Sequence, residues 1–269
     1  VTERIAIIGV GVMGETIVST LLAAGVEPGR VVAVEKRAER AAELRERHGI
    51  EVAPLEDAVR GAGLVLLVTK PQDVPDVLAQ VGPHVDPGAA IVSFAAGVRT
   101  ATIEAAVPDG VEVVRVMPNT PALVGQGVFG VSGGASCSAE RLDAVQRLLA
   151  PGGTVVVVDE SEQDALTAVS GSGPAYVFYL AEAMIAGGVD AGLDPETARR
   201  LAVATIQGSA TLLAGSDDEP AELRRRVTSP NGTTAAAIET FDAQGVAQAV
   251  RDGVRAAAAR SAELSGPGA

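Results

Sequence analysis

The sequence predicts an α/β protein in which an N-terminal doubly wound parallel sheet is followed by an all-α C-terminal domain. Three observations carry this expectation. Short apolar runs alternate with helical patterns from Ile5 to Val158, as βαβ units building a parallel sheet require. A glycine-rich turn, Gly9-Val10-Gly11-Val12-Met13-Gly14, follows the first apolar run and opens a helix, which makes the sheet one of the Rossmann type. After Val158 strand signals cease, and Glu162 to Leu264 reads as helix joined by short turns. The expected domains are therefore 1–158 and 159–269.

In chain order, strands are expected at Ile5–Ile8, Val31–Val34, Leu64–Val68, Ala89–Phe94, Glu112–Val116, Val128–Val131 and Thr154–Val158. Their unbroken apolar character suits strands buried on both faces. Helices are expected after the glycine turn, ended by Gly25, and over Arg37–His48. In the second half Pro174, Pro195 and Pro220 sit at helix starts, where a missing N–H costs nothing. The helical stretches Ala175–Val189 and Leu201–Ala214 are apolar nearly all round; Glu182 is the one charge in the first, and the second has none. Such helices must be buried on every side. A domain of that size has little interior, so a partner subunit is the simplest cover, and a dimer or higher homo-oligomer is expected.

Composition narrows the function. At 269 residues and 47% hydrophobic the chain can build two cores. Its net charge of −13 argues against nucleic acid or an anionic membrane as partner. Any phosphate site must rest on local N–H groups and a few placed cations. Cys137 is the only cysteine, which fits a reducing compartment. The apolar run at Ile5 leads into a glycine motif rather than a cleavage site, and the long uncharged stretch Ala165–Ala181 is broken by Ser170-Gly171-Ser172-Gly173-Pro174. The expectation is a cytoplasmic protein.

The glycine turn predicts a dinucleotide cofactor: Gly9 for the tight turn, Gly11 for close approach of the pyrophosphate, Gly14 for helix–strand packing. Residues ending the second strand pull two ways. Glu35 stands where a carboxylate grips the ribose hydroxyls of NAD, whereas Lys36 and Arg37 suit the 2′-phosphate of NADP. The chain has only 2 lysines, at 36 and 70, against 19 arginines, and cations at a helix start oppose its dipole. That favours NADPH, with NADH possible. Thr69-Lys70-Pro71, Ala95-Ala96-Gly97 and Met117-Pro118-Asn119-Thr120-Pro121 are turns after strands, on the carboxyl edge where ligands bind.

Pro220–Asp242 reads as a helix, a tight loop and a second helix. Pro230 stops the first helix, Asn231-Gly232 accept a left-handed turn, and Thr233 or Thr234 is expected to cap the run Ala235–Phe241. Free N–H groups with the hydroxyls of Ser229, Thr233 and Thr234 would suit a small carboxylate.

Val227-Thr228-Ser229-Pro230-Asn231-Gly232-Thr233-Thr234 resembles the signature Val-x-Ser-Pro-Gly-Gly-Thr-Thr of the pyrroline-5-carboxylate reductases, with Asn231 in place of Gly. Thr69-Lys70-Pro71, Ala95-Ala96-Gly97, Met117–Pro121 and Gly171-Ser172-Gly173-Pro174-Ala175-Tyr176 resemble further elements of that family, in its order. The resemblance implies NAD(P)H-dependent reduction of 1-pyrroline-5-carboxylate to L-proline, and a C-terminal dimerisation domain. It implies Ser229 and Thr234 as catalytic groups, with Ser229, Asn231, Gly232, Thr233, Thr234 and Glu160 around the substrate. Gly9 to Gly14, Glu35, Lys36, Arg37, Thr69, Lys70, Pro71, Ala95, Ala96, Gly97 and Asn119 would line the cofactor. It also implies that the substrate loop of one chain meets the nucleotide held by its neighbour. Reduction of a related cyclic imino acid and a non-catalytic dinucleotide-binding role remain alternatives.

What is missing points the same way. The β-hydroxyacid dehydrogenases, of similar build, use a lysine of the second domain to take the alcohol proton, and here no lysine follows Lys70. Both histidines, His48 and His84, lie in the first domain and read as solvent-facing; no His/Cys/carboxylate set suggests a metal. A protonated cyclic imine is already a strong electrophile and needs no general base.

Overall fold

The computed structural model describes residues 3–266. They form two compact units: one runs to Ser172 and includes the segment from Ala257 onward, and the other is Gly173–Ala256.

The first unit is built on eight strands: β1 (Ile5–Ile8), β2 (Val31–Val34), β3 (Glu51–Val52), β4 (Leu64–Leu67), β5 (Ala90–Ser93), β6 (Glu112–Met117), β7 (Gly127–Gly133) and β8 (Gly153–Val157). Their order is β3-β2-β1-β4-β5-β6-β7-β8. Ile5 pairs with Val31 on one side and Leu64 on the other, and the pairing stays parallel out to β6. β7 then runs antiparallel to β6, and β8 parallel to β7. Successive side chains enter different cores. Ile5, Ile7, Val31, Ala33, Leu64 and Leu66 pack on one face with α1 (Val12–Ala23), α2 (Ala38–His48) and, further along the chain, α6 (Ala139–Leu149). Ala6, Ile8, Val32, Val65 and Leu67 pack on the other with α3 (Leu55–Val59), α4 (Val74–Val81) and α5 (Thr100–Glu104). Two covered faces leave no room for polar alternation, which is why the strands read as continuous apolar runs.

α7 (Gln163–Leu166) follows β8 and stays with the sheet. Gln163 is fully buried, and its Nε2 donates to the Gly130 carbonyl at 3.2 Å and to Ser132 Oγ at 2.9 Å. Strands end at Val157, next to the 158/159 boundary read from the sequence, while the compact packing of the first unit continues through α7 to Ser172. The expected interruption at Ser170–Pro174 takes the form of a change of helix: Ser172 lies outside the helices and α8 starts anew at Gly173. Thr167–Gly171 continues as a π-turn, with Ser172 N–H donating to the Thr167 carbonyl at 2.9 Å.

The second unit contains α8 (Gly173–Asp190), α9 (Pro195–Ala214), α10 (Pro220–Arg226), α11 (Thr233–Ala243) and the first part of α12 (Val246–Leu264). Only Ala198 and Ala202 are buried in it. α8 buries nothing, and Phe178 and Tyr179 are 63% and 75% exposed. An apolar surface of this extent on a single chain marks an interaction face. Among the described residues no helix is long and apolar enough to cross a membrane.

Candidate active site

Sheet growth reverses around β1, which lies between β2 and β4, so a crevice opens at the carboxyl ends of these strands. The glycine turn sits there, and its three glycines differ physically. Gly9 has φ +93°, and a Cβ on it would lie 2.6 Å from the Val68 carbonyl oxygen. A Cβ on Gly14 would come within 2.2 Å of the Gly9 carbonyl oxygen. Both are demanded by the fold's own packing. Gly11 has φ −74°, and a Cβ there would meet nothing within 4 Å. The protein leaves that space free.

Gly11 is also the N-cap of α1, without a side-chain cap, so the N–H groups of the first turn are available. Val10 is buried, Met13 packs on the core, and Val12 is 71% exposed beside the free space. Thr69 Oγ1 is buried with no hydrogen-bond partner, and a Cβ on Gly9 would lie 3.0 Å from Thr69 Cγ2. Lys70, exposed, precedes the short turn Pro71–Asp73. An open glycine, uncapped N–H groups and an orphaned hydroxyl fit the pyrophosphate of a dinucleotide.

At the end of β2, Glu35 and Arg37 are not rivals but partners. Glu35 Oε1 accepts from the Arg37 backbone N–H at 2.9 Å and from Nε at 3.1 Å; Oε2 accepts from Nη2 at 3.1 Å. The hydrogen bonds from Arg37 hold the Glu35 carboxyl below its usual range. Lys36 is exposed next to them.

Other expected site residues carry structural duties. Gly97 has φ +77°, and a Cβ there would lie 2.8 Å from the Leu264 carbonyl oxygen, so the end of α12 uses its space. Ala95 is buried and its N–H donates to Ser93 Oγ at 3.3 Å, while Ala96 is exposed. Asn119 Nδ2 donates to the Ser170 carbonyl at 3.0 Å, and Asn119 Oδ1 accepts from Val128 N–H at 2.8 Å. It ties the β6–β7 connection to the π-turn. Glu160 accepts from Thr100 N–H at 2.8 Å and Thr100 Oγ1 at 2.7 Å, and pairs with the buried Arg115 at 3.3 Å. Arg115 was not among the expected residues. Its signal was a lone charge inside the apolar strand Val113-Val114-Arg115-Val116.

In the second unit, α10 ends at Arg226, well before Pro230. Asn231 has φ +56°, the one positive φ at a non-glycine residue among those described. It sets the chain so that Gly232, not a threonine, caps α11. The expected Thr cap is therefore corrected: Thr233 and Thr234 occupy the first turn, and Gly232 supplies no side chain to occupy their N–H groups. Ser229 and Thr233 are exposed and Thr234 is half-buried. The 3.0 Å bond from Gly232 N–H to the Ser229 carbonyl closes the loop. Ser229, Thr233 and Thr234 thus all belong to the loop and first turn of one helix start.

His48 is the second correction. It is not solvent-facing: its side chain is largely buried, with Nε2 2.9 Å from Glu15 Oε1. Glu15, on α1, also takes Arg47 at 2.6 Å and Arg40. Burial pushes its carboxyl up, but the hydrogen bonds from His48, Arg40 and Arg47 outweigh it and hold the pKa at about 2. This cluster clips α1 to α2. His84 is half-buried, 3.9 Å from Glu56.

The pyrroline-5-carboxylate reductase dimerisation family matches residues 160–264, and the NADP oxidoreductase, coenzyme F420-dependent, family matches 4–97. The pyrroline-5-carboxylate reductase of Corynebacterium melassecola is 43% identical over 264 residues, covering 97% of this chain and 98% of that protein. That of Pseudomonas aeruginosa is 44% identical over 266 residues, 98% and 97% of the two chains. The structure of the Coxiella burnetii enzyme superposes with a TM-score of 0.94 at 29% identity, covering 99% and 100%. The Plasmodium falciparum enzyme, solved with NADP bound, gives 0.86 at 25% identity, covering 98% and 99%. A Rossmann sheet with an open pyrophosphate turn and a helical unit that lacks a core define an NAD(P)H-dependent oxidoreductase that assembles through its C-terminal part. The chain belongs to the pyrroline-5-carboxylate reductase family.

Proposed function

We infer that the chain reduces 1-pyrroline-5-carboxylate to L-proline, drawing on NADPH in preference to NADH. The observation that carries the substrate side is the entry to α11, where the left-handed Asn231 leaves Thr233 and Thr234 at an uncapped helix start. Backbone in a sparsely populated region persists where it serves a site. The N–H groups of that first turn, with the hydroxyls of Ser229, Thr233 and Thr234, hold the substrate carboxylate. A hydroxyl of the same set, that of Thr234, holds the ring nitrogen, which enters protonated. Bound NAD(P)H supplies the hydride that the imine carbon accepts, turning C=N into C–H and N–H. The protein contributes position rather than acid–base chemistry, and positioning of this kind is worth roughly 7–11 kcal/mol of barrier. Lys36 and Arg37 at the end of β2 favour the phosphorylated dinucleotide. Gly9 to Gly14, Thr69, Lys70, Pro71 and the turns at Ala95–Gly97 and Asn119 line its site. Two copies associate through the apolar helical units, each substrate loop serving the partner's nucleotide, in the cytoplasm.

The test is an NADPH-oxidation assay with 1-pyrroline-5-carboxylate and detection of L-proline. Turnover faster than with the six-membered homologue supports the reading. Preference for the homologue, or tight NADPH binding with no turnover of either imine, would overturn it.

A further inference from the structure

We propose that Arg37 is a latch on Glu35, and that this pair sets the choice between the two nicotinamide dinucleotides. The proposal rests on the reading that the end of β2 faces the adenosine ribose. Glu35 stands at the place of the NAD-type arrangement, in which a carboxylate takes the ribose hydroxyls. Here both of its oxygens are already engaged. The Arg37 guanidinium lies across them in a forked pair, and the Arg37 backbone N–H adds a third donor. The carboxylate is only 10% exposed and its latch 70%, so the guanidinium is the member of the pair that meets solvent.

One side chain thereby does two things. It withdraws the acceptor that NADH needs, and it cancels a negative charge that would repel a 2′-phosphate. Arg37 holds Glu35 through its backbone N–H, Nε and Nη2, leaving Nη1 without a partner among the described residues, and Lys36 stands exposed alongside. Both remain for the phosphate. A forked guanidinium is suited to hold a carboxylate on one edge and a phosphate on the other.

The consequence separates a latch from a simple phosphate contact: removing Arg37 improves NADH binding. Calorimetric titration of NADPH and NADH into wild type, R37A and E35A/R37A tests it. Loss of hydrogen bonds to a charged group changes affinity by about tenfold or more. R37A is expected to bind NADPH about tenfold more weakly and NADH several-fold more tightly than wild type. E35A/R37A loses the NADH gain. R37K, which keeps the charge but cannot bridge both oxygens, gives a smaller NADH gain than R37A together with a smaller NADPH loss. Weaker NADPH with unchanged NADH overturns the latch and leaves the NADPH reading standing. An NADH gain that persists in E35A/R37A overturns it as well. Equal loss for both dinucleotides overturns the latch together with the reading of β2 on which it rests.

Discussion

Alanine at each of two glycines of the pyrophosphate turn separates what the fold needs from what the ligand needs. In Gly14→Ala the new methyl lies 2.2 Å from the Gly9 carbonyl oxygen, so α1 has to shift away from the turn. Overpacking of this kind costs roughly 1–3 kcal/mol, offset only in part by about 1 kcal/mol of helix propensity. In a chain of this size each kcal/mol moves Tm by about 2–4 °C, so a drop of several degrees is expected. In Gly11→Ala the methyl meets nothing within 4 Å, at an ordinary φ of −74°. Reduced freedom of the unfolded chain gains about 0.4–1 kcal/mol, and the poorer N-cap gives up a similar amount. Tm should stay within about 2 °C of wild type. The methyl does occupy the space left for the pyrophosphate, so NADPH affinity should fall tenfold or more, about 1.4 kcal/mol. Thermal unfolding without ligand and calorimetric titration of NADPH read the two effects separately. A Gly11→Ala protein that melts as low as Gly14→Ala, or that binds NADPH like wild type, refutes the division of labour.

Thr234→Val should lower kcat/KM about 10- to 100-fold, the value of a hydrogen bond to a charged group, with NADPH affinity unchanged; an unaltered kcat/KM removes Thr234 from the site. The Glu15 carboxyl, depressed from 4.5 to about 2, contributes stability that is complete above about pH 4.5 and lost as pH falls toward 2. The gap in unfolding free energy between wild type and Glu15→Gln should therefore close over that range, and a gap independent of pH would contradict it. Gly11→Asp, inactive alone, and Thr234→Val, impaired alone, should regain activity above either when unfolded and refolded together, because a mixed dimer holds one site with both halves intact. Mixed dimers proved by differential tags but without activity would mean that each chain serves its own nucleotide.

The strands were legible because burial on both faces writes itself as unbroken apolar runs such as Leu64-Val65-Leu66-Leu67. β3 escaped because two residues at a sheet edge, Glu51 and Val52, carry no periodicity. The antiparallel turn into β7 escaped because strand direction leaves no mark on composition. Asn231 was readable as a left-handed corner, for few other residues tolerate one; which residue caps α11 was not, since Gly232 and its two threonines are all acceptable caps. His48 read as exposed because its neighbours Arg45, Glu46 and Arg47 are charged, and a charged helix face gives no hint that Glu15 of another helix receives it. Glu160 and Asn119 show the limit most clearly. A motif identifies a residue that matters, whereas only the coordinates reveal that Thr100, Arg115 and Ser170 are what these two side chains hold.

On the proposed association, a unit whose buried side chains are two alanines completes its packing against the second copy. Part of its stability then comes from the encounter, so its melting temperature should rise with protein concentration by mass action. Dilution acts on it as a denaturant would. Polar replacements at Phe178 or Tyr179, which on the lone chain look like harmless surface changes, should behave as core mutations and lower enzyme abundance before they touch turnover. A newly made chain of such a dimer carries these faces bare until a second copy arrives, so the local concentration of its twin should influence how much of it folds productively.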